Sequence, residues 1–127
     1  MTTGGVGACL STLGPGSTAL ANGVASATLD RVPVIALSGQ VDRGREQYAT
    51  HQVVDHDRLF APITKWAGRI EPSAVATTMR RALRLATAER PGAVHLTLPA
   101  DVSGQPATDG EAAAPPRTPT SSGSRPA

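Results

Sequence analysis

The residues best able to do chemistry in this chain gather in two places. The first is "LGPGST", residues 13–18. Gly14 and Gly16 let the backbone turn sharply and leave no Cβ in a ligand's path. Pro15 stiffens the turn, and Ser17 or Thr18 is of the type that caps a helix. The first turn of such a helix offers N–H groups to an anion or a polar ring atom. Read alone, the stretch favours a tight strand-to-helix turn that binds nothing, and it is neither G-x-x-x-x-G-K-[ST] nor G-x-G-x-x-G. The second place is "HQVVDHD", residues 51–57. His51, Asp55, His56 and Asp57 are of metal-ligand type, but consecutive side chains at a helix start diverge, and the spacing matches no zinc pattern. A polar loop with Asp55 as a helix cap is expected there, and no metal site.

Other reactive side chains have plainer readings. Cys9 lies in an apolar run and is expected to be a buried, inert thiol. His95 lies in another and is expected to be a satisfied core histidine or a contact at the end of a sheet. Arg80, Arg81 and Arg84 read as a solvated helix face. Ser38 stands in "VIALSGQ", which is not the G-x-S-x-G of a hydrolase elbow.

The elements that must carry these residues alternate. "GACLST" (7–12) is short and β-compatible, and residues 16–30 place Leu20, Val24, Ala27 and Leu29 near helical period. "VPVIALSG" (32–39) is a continuously apolar strand, followed by a polar loop over 40–54. Residues 55–63 suit a short helix ended near Pro62, and 64–70 a weaker strand. A helix over about 72–89 turns Val75, Met79, Ala82, Leu83 and Ala86 to one face, and "RPG" stops it before the strand "AVHLTLP" (93–99). Apolar strands separated by helices predict an α/β fold: a partial three-layer α/β/α domain with a mostly parallel sheet.

Length and composition bound the rest. The 127 residues allow one domain. Residues 103–127 hold no Val, Ile, Leu, Met or aromatic side chain, so a domain over 1–102 followed by a disordered tail is expected. A net charge of +2, with Tyr48, Phe60 and Trp66 as the aromatic residues, argues against nucleic-acid binding. No apolar run reaches the length of a membrane span. A single cysteine rules out an internal disulfide, and a cytoplasmic setting is expected.

The motifs also occur together. "GACLSTLGPGSTALANGVASATLDRVPVIALSGQV" is followed by "HQVVDHDRLFAPITKW" and "ATAERPGAVHLTLPADV". In order and spacing these resemble the N-terminal, pyrimidine-binding domain of thiamine diphosphate-dependent enzymes, the acetolactate synthase-like group above all, over about residues 4–102. The resemblance implies cleavage of a 2-oxo acid and transfer of the resulting carbanion in the intact family. It implies thiamine diphosphate as cofactor, with Gly14, Pro15 and Gly16 near its aminopyrimidine ring and Gln52 near the reacting centre. Two positions depart: Ala19 stands where the family usually has Asn, and His51 where acetolactate synthases have Phe.

Two family parts have no counterpart in the sequence. The glutamate that favours the cofactor's imino tautomer lies tens of residues before the turn in the family, whereas here Met1 precedes Gly14 by 13 positions. The "G-D-G…N" motif of the C-terminal domain, which holds the diphosphate and Mg2+, does not occur. A truncated member is therefore expected, with no catalytic residue of its own and inactive alone. It would form an oligomer with a like domain or a diphosphate-binding domain. The alternatives are a non-catalytic assembly module and one chain of a split enzyme.

Overall fold

The computed structural model describes residues 4–109. Its elements follow the order β1 (Gly7–Ser11), α1 (Pro15–Leu29), β2 (Val34–Gln40), α2 (His56–Phe60), β3 (Trp66–Arg69), α3 (Val75–Thr87), β4 (Ala93–Pro99) and α4 (Ala100–Ser103). Single 3-10 turns at Ala61–Ile63 and Pro72–Ala74 follow α2 and lead into α3. The four strands form one parallel sheet in the order β1-β2-β4-β3. This is the α/β architecture expected from apolar strands alternating with helices.

Side-chain alternation sends each strand's residues to two different layers. Ile35, Val94 and Leu96 pack with Ala82 and Ala86 of α3, Ile70 and Val102. Their neighbours Ala36 and Ala93 pack with Val24 of α1 and Phe60 of α2. In the central strand β4 every residue but Leu98 is buried, which is why "AVHLTLP" reads as continuously apolar rather than alternating. Strand β1 is an edge, and Leu10 on it is 73 % exposed.

Local chemistry sets the boundaries. Pro15 occupies the first turn of α1, where its missing N–H costs nothing. Asp55 caps α2 by accepting from the Arg58 N–H at 3.1 Å, and Pro62 falls in the 3-10 turn that ends that segment. At the far end of α3, the Lys65 ammonium donates to the carbonyls of Leu85 and Ala88, where helix carbonyls lack partners.

Two expectations change. Leu83 is 40 % exposed, and Leu85 packs on the core in its place. The two flank the stripe of Val75, Met79, Ala82 and Ala86 at roughly 80° on either side, so the sheet's position chooses between them. The chain also stays docked past residue 102: the Thr108 N–H donates to the Pro72 carbonyl at 2.8 Å, and Asp109 accepts from the Thr77 N–H at 3.1 Å. The remainder of the segment expected to be disordered lies outside the described residues.

Candidate functional site

In parallel α/β sheets the loops beyond the carboxyl ends of the strands form the usual ligand crevice. Here those loops are 12–14 after β1, 41–54 after β2 and the start of α4 after β4. The loop after β2 is pinned rather than free. Gln40 reaches forward to the Val54 carbonyl at 2.9 Å, tying the loop's end to its start. Arg43 donates through its N–H and Nε to Asp101, at 3.0 and 2.8 Å, and through a terminal nitrogen to Glu71 at 2.6 Å. These bonds from Arg43 hold the Asp101 carboxyl below its ordinary range. Arg69 grips Glu46 with two bonds, at 2.5 and 3.1 Å.

That pinning brings the two candidate stretches together. Gly14 has φ of 62°, in the left-handed region that glycine tolerates. A Cβ built on it would stand 2.7 Å from the Gln52 Cβ and 2.8 Å from the Gln52 carbonyl oxygen. Gln52 itself has φ of 59°. The glycine therefore makes room for Gln52, not directly for a ligand. At Gly16 a Cβ would meet the Thr12 methyl at 2.5 Å. Thus the space left by both glycines is taken by Gln52 backbone and side chain and by the Thr12 side chain, and Pro15, which is exposed, is the outward part of the turn. Gly14, Pro15, Gly16 and Gln52 form one contiguous unit.

The expected side-chain cap is absent. The Ser17 hydroxyl donates back to the Gly14 carbonyl at 2.7 Å, and Thr18 to the Pro15 carbonyl at 2.9 Å. Gly14 is the N-cap residue, and no side chain caps α1. The Ser17 hydroxyl belongs instead to a buried polar layer under α1 and α2. With its proton on the Gly14 carbonyl, Ser17 accepts from His56 Nε2 at 3.1 Å; His56 Nδ1 is then the acceptor for the Thr97 hydroxyl at 3.2 Å. A relay of three hydrogen bonds thus runs from β4 to the turn's carbonyl.

His95 lies beside this relay. Its Nε2 meets Ser38 Oγ at 2.9 Å, which meets Ser11 Oγ at 2.8 Å, and its ring stacks on Phe60 at 3.6 Å. His95 Nδ1 is buried without a partner. Burial, and secondarily the neighbouring His56, pushes the His95 pKa down from the ordinary 6.5 to about 3. Burial first, then the Arg69 charge, also lowers His56. His95 is buried as its apolar run predicts, though its Nδ1 is not satisfied, whereas the burial of His56 is hidden because "DHD" looks solvent-facing. The signal was its place as first residue of a short helix ending in Phe60, a helix that must turn one side inward.

Two crevices flank the turn, with Leu13 in the wall of both. One, of about 510 Å3, is lined by Leu10, Thr12, Gly39, Leu98 and their neighbours. The other, of about 470 Å3, is lined by Arg45, Tyr48, Thr50, His51 and Gln52 among others. Neither has a carboxylate in its lining. Among the described residues no three His, Cys, Asp or Glu side chains converge as a metal centre requires. Asp55 is engaged as a helix cap and His56 in the buried relay. The crevice that Gln52 lines has room for a flat ring beside the exposed Gln52 amide, which fits the pyrimidine end of thiamine diphosphate. The diphosphate and its cation find no matching ligand set among these side chains.

Comparison with known proteins agrees with the motifs. Residues 1–59 match the family model "Thiamine pyrophosphate enzyme, N-terminal TPP binding domain". The chain is 46% identical over 100 residues to a probable acetolactate synthase large subunit of Methanocaldococcus jannaschii, an alignment covering 78% of this chain and 17% of that protein. It is 43% identical over 101 residues to an acetolactate synthase of Arthrospira platensis, covering 79% and 17%. With an acetolactate synthase of Bacillus subtilis it is 38% identical over 101 residues, covering 79% and 18%. The chain spans about a sixth of the length of such relatives. With the parallel sheet, the glycine turn locked on Gln52 and these likenesses in hand, the chain belongs to the thiamine pyrophosphate enzyme family, as an acetolactate synthase-like N-terminal domain.

Proposed function

We propose that this domain forms the pyrimidine-facing wall of a thiamine diphosphate site, and that turnover of a 2-oxo acid needs groups outside the residues described. The observation that carries the reading is the direct packing of Gly14 against Gln52 between two sheet-end crevices. When bound, the cofactor would supply a nucleophilic thiazolium carbon and an electron sink that stabilises the acyl carbanion left when a 2-oxo acid loses carbon dioxide. This chain's part is to bind and orient. The rigid turn would present main-chain polar groups to the ring, and the exposed Gln52 side chain would offer one amide donor and one acceptor. Proton transfer to the ring requires a carboxylate beside it, and among the described residues none lines either crevice. Mg2+ would be held through a diphosphate-binding domain.

A test follows directly. Titration of the chain with thiamine should shift the amide resonances of Leu13, Gly14 and Gln52, and Gly14→Ala should abolish those shifts. With thiamine diphosphate, Mg2+ and pyruvate, the chain alone should show neither pyruvate loss nor exchange of the thiazolium C2 proton. Shifts confined to other parts of the fold, or clear turnover, would overturn the reading.

The open edge of β1 and its exposed Leu10 support association with a like domain or a diphosphate-binding domain. Sedimentation as a clean monomer at high concentration would count against self-association.

A further inference from the structure

We infer that the crevice beside Gln52 selects a substrate whose far end is negatively charged, and that Arg45 is the residue that makes the selection, with His51 as its polar partner. The inference rests on the reading of Gln52 as the site's inner wall and extends it to substrate class.

Arg43 is neutralised by Asp101 and Glu71, and Arg69 by Glu46. Arg45 lies between them in sequence and lines the crevice, yet among the described residues its side chain has no acidic partner. The backbone around it is fixed: the Arg45 N–H donates to the Asp42 carbonyl at 2.8 Å, and its own carbonyl accepts from Ala49 at 2.8 Å. His51, Thr50 and Tyr48 add further polar atoms to the same wall, and no acid lines it to oppose an anion. A guanidinium forks two donors toward a carboxylate, phosphate or sulfonate, so one unpaired arginine in an acid-free crevice is an anion recogniser.

Gln52 links this crevice to the turn. Its backbone presses on Gly14 while its residue lines the crevice with Arg45. A substrate held with its reacting carbon near Gln52 would therefore extend its other end over Arg45 and His51. At position 51 an imidazole accepts an anionic end group that a phenyl ring would leave without a partner.

The decisive probes are 2-oxoglutarate and 2-oxopentanoate, which share a five-carbon chain and a 2-oxo carboxylate and differ by the terminal carboxylate. Amide and side-chain resonances of the labelled chain report binding of each, with thiamine titrated separately. The diacid should bind about tenfold more tightly than the monoacid, the value of one charge-assisted contact. Arg45→Gln should close that gap, and Arg45→Lys should keep most of it. Equal affinity, a gap untouched by Arg45→Gln, or no binding of either acid overturns the inference. Thiamine shifts at Gly14 and Gln52 alongside such a result would leave the cofactor reading standing, whereas missing thiamine shifts would remove that reading itself.

Discussion

At the residue scale the informative contrast is between two glycines. Gly14 combines a φ of 62° with a neighbour that a Cβ would strike at 2.7 Å, and that neighbour includes Gln52 backbone. Gly14→Ala should cost about 2–4 kcal/mol from backbone strain and overpacking together. Gly23 sits inside α1 with nothing within 4 Å of a built Cβ, so Gly23→Ala should instead stabilise by about 0.5–1 kcal/mol. Urea unfolding of both variants checks the pair; a neutral or stabilising Gly14→Ala would refute the packing of Gln52 on the turn. The turn itself was legible in the sequence, because Gly-Pro-Gly between a β-type run and an alanine-rich one has few local solutions. Its partner was not. Contact with Gln52 is made 38 residues later along the chain, through a loop held by ion pairs that leave no periodic trace. The family likeness implies that both lie near one cofactor, the turn by its aminopyrimidine ring and Gln52 by the reacting centre, but not that they pack on each other.

At the element scale, α3 shows how a helix can borrow its cap. Its N-cap residue is Ala74, which has no side-chain acceptor. Asp109, 32 positions beyond Thr77, supplies the oxygen at 3.1 Å to the third N–H of the helix, the one a local Ser or Asp would ordinarily serve. A carboxylate there also suits the positive end of the helix. Asp109→Ala should lower stability by about 1 kcal/mol and speed hydrogen exchange at the Thr77 amide, while Asp109→Asn should retain most of both. Unchanged exchange at Thr77 in the alanine variant would show that the contact carries no weight. The helix, its inward stripe and its stop at "RPG" were readable because amphipathic period and breakers are local. The docking of 103–109 was hidden, since a segment without large apolar side chains gives no burial signal and is held here by three polar contacts to Pro72 and Thr77.

At the scale of the whole molecule the fold's unusual feature is that one side of its sheet turns polar inside. Toward the carboxyl ends of the strands, the layer under α1 and α2 holds Ser17, Ser38, His56, His95 and Thr97, all buried. The strands read as apolar runs because a hydroxyl or imidazole every second residue scarcely alters their average character. Both imidazoles are held neutral. The charges that act on His56 are Arg69, which opposes protonation, and Asp57, Glu46 and Asp55, which favour it more weakly than burial opposes it. In the unfolded chain the same rings titrate at their ordinary 6.5. Unfolding therefore takes up protons below that value, so stability is full above about pH 6.5 and falls as pH drops from there toward about 3, where His95 titrates in the fold. Between pH 6 and 5 the unfolding free energy should decline by about 1.4 kcal/mol per pH unit for each histidine still neutral. The lowered Asp101 carboxyl adds its own loss only at more acid pH, as it becomes protonated. Unfolding curves collected at half-unit steps from pH 7.5 to 4.5 measure the slope, and the His95 ring proton followed by NMR should not titrate while the chain remains folded. A flat stability profile from pH 7 to 5, or a His95 resonance moving with a midpoint near 6.5, would mean that the polar layer is open to water and that the relay to the Gly14 carbonyl is not the buried brace described here.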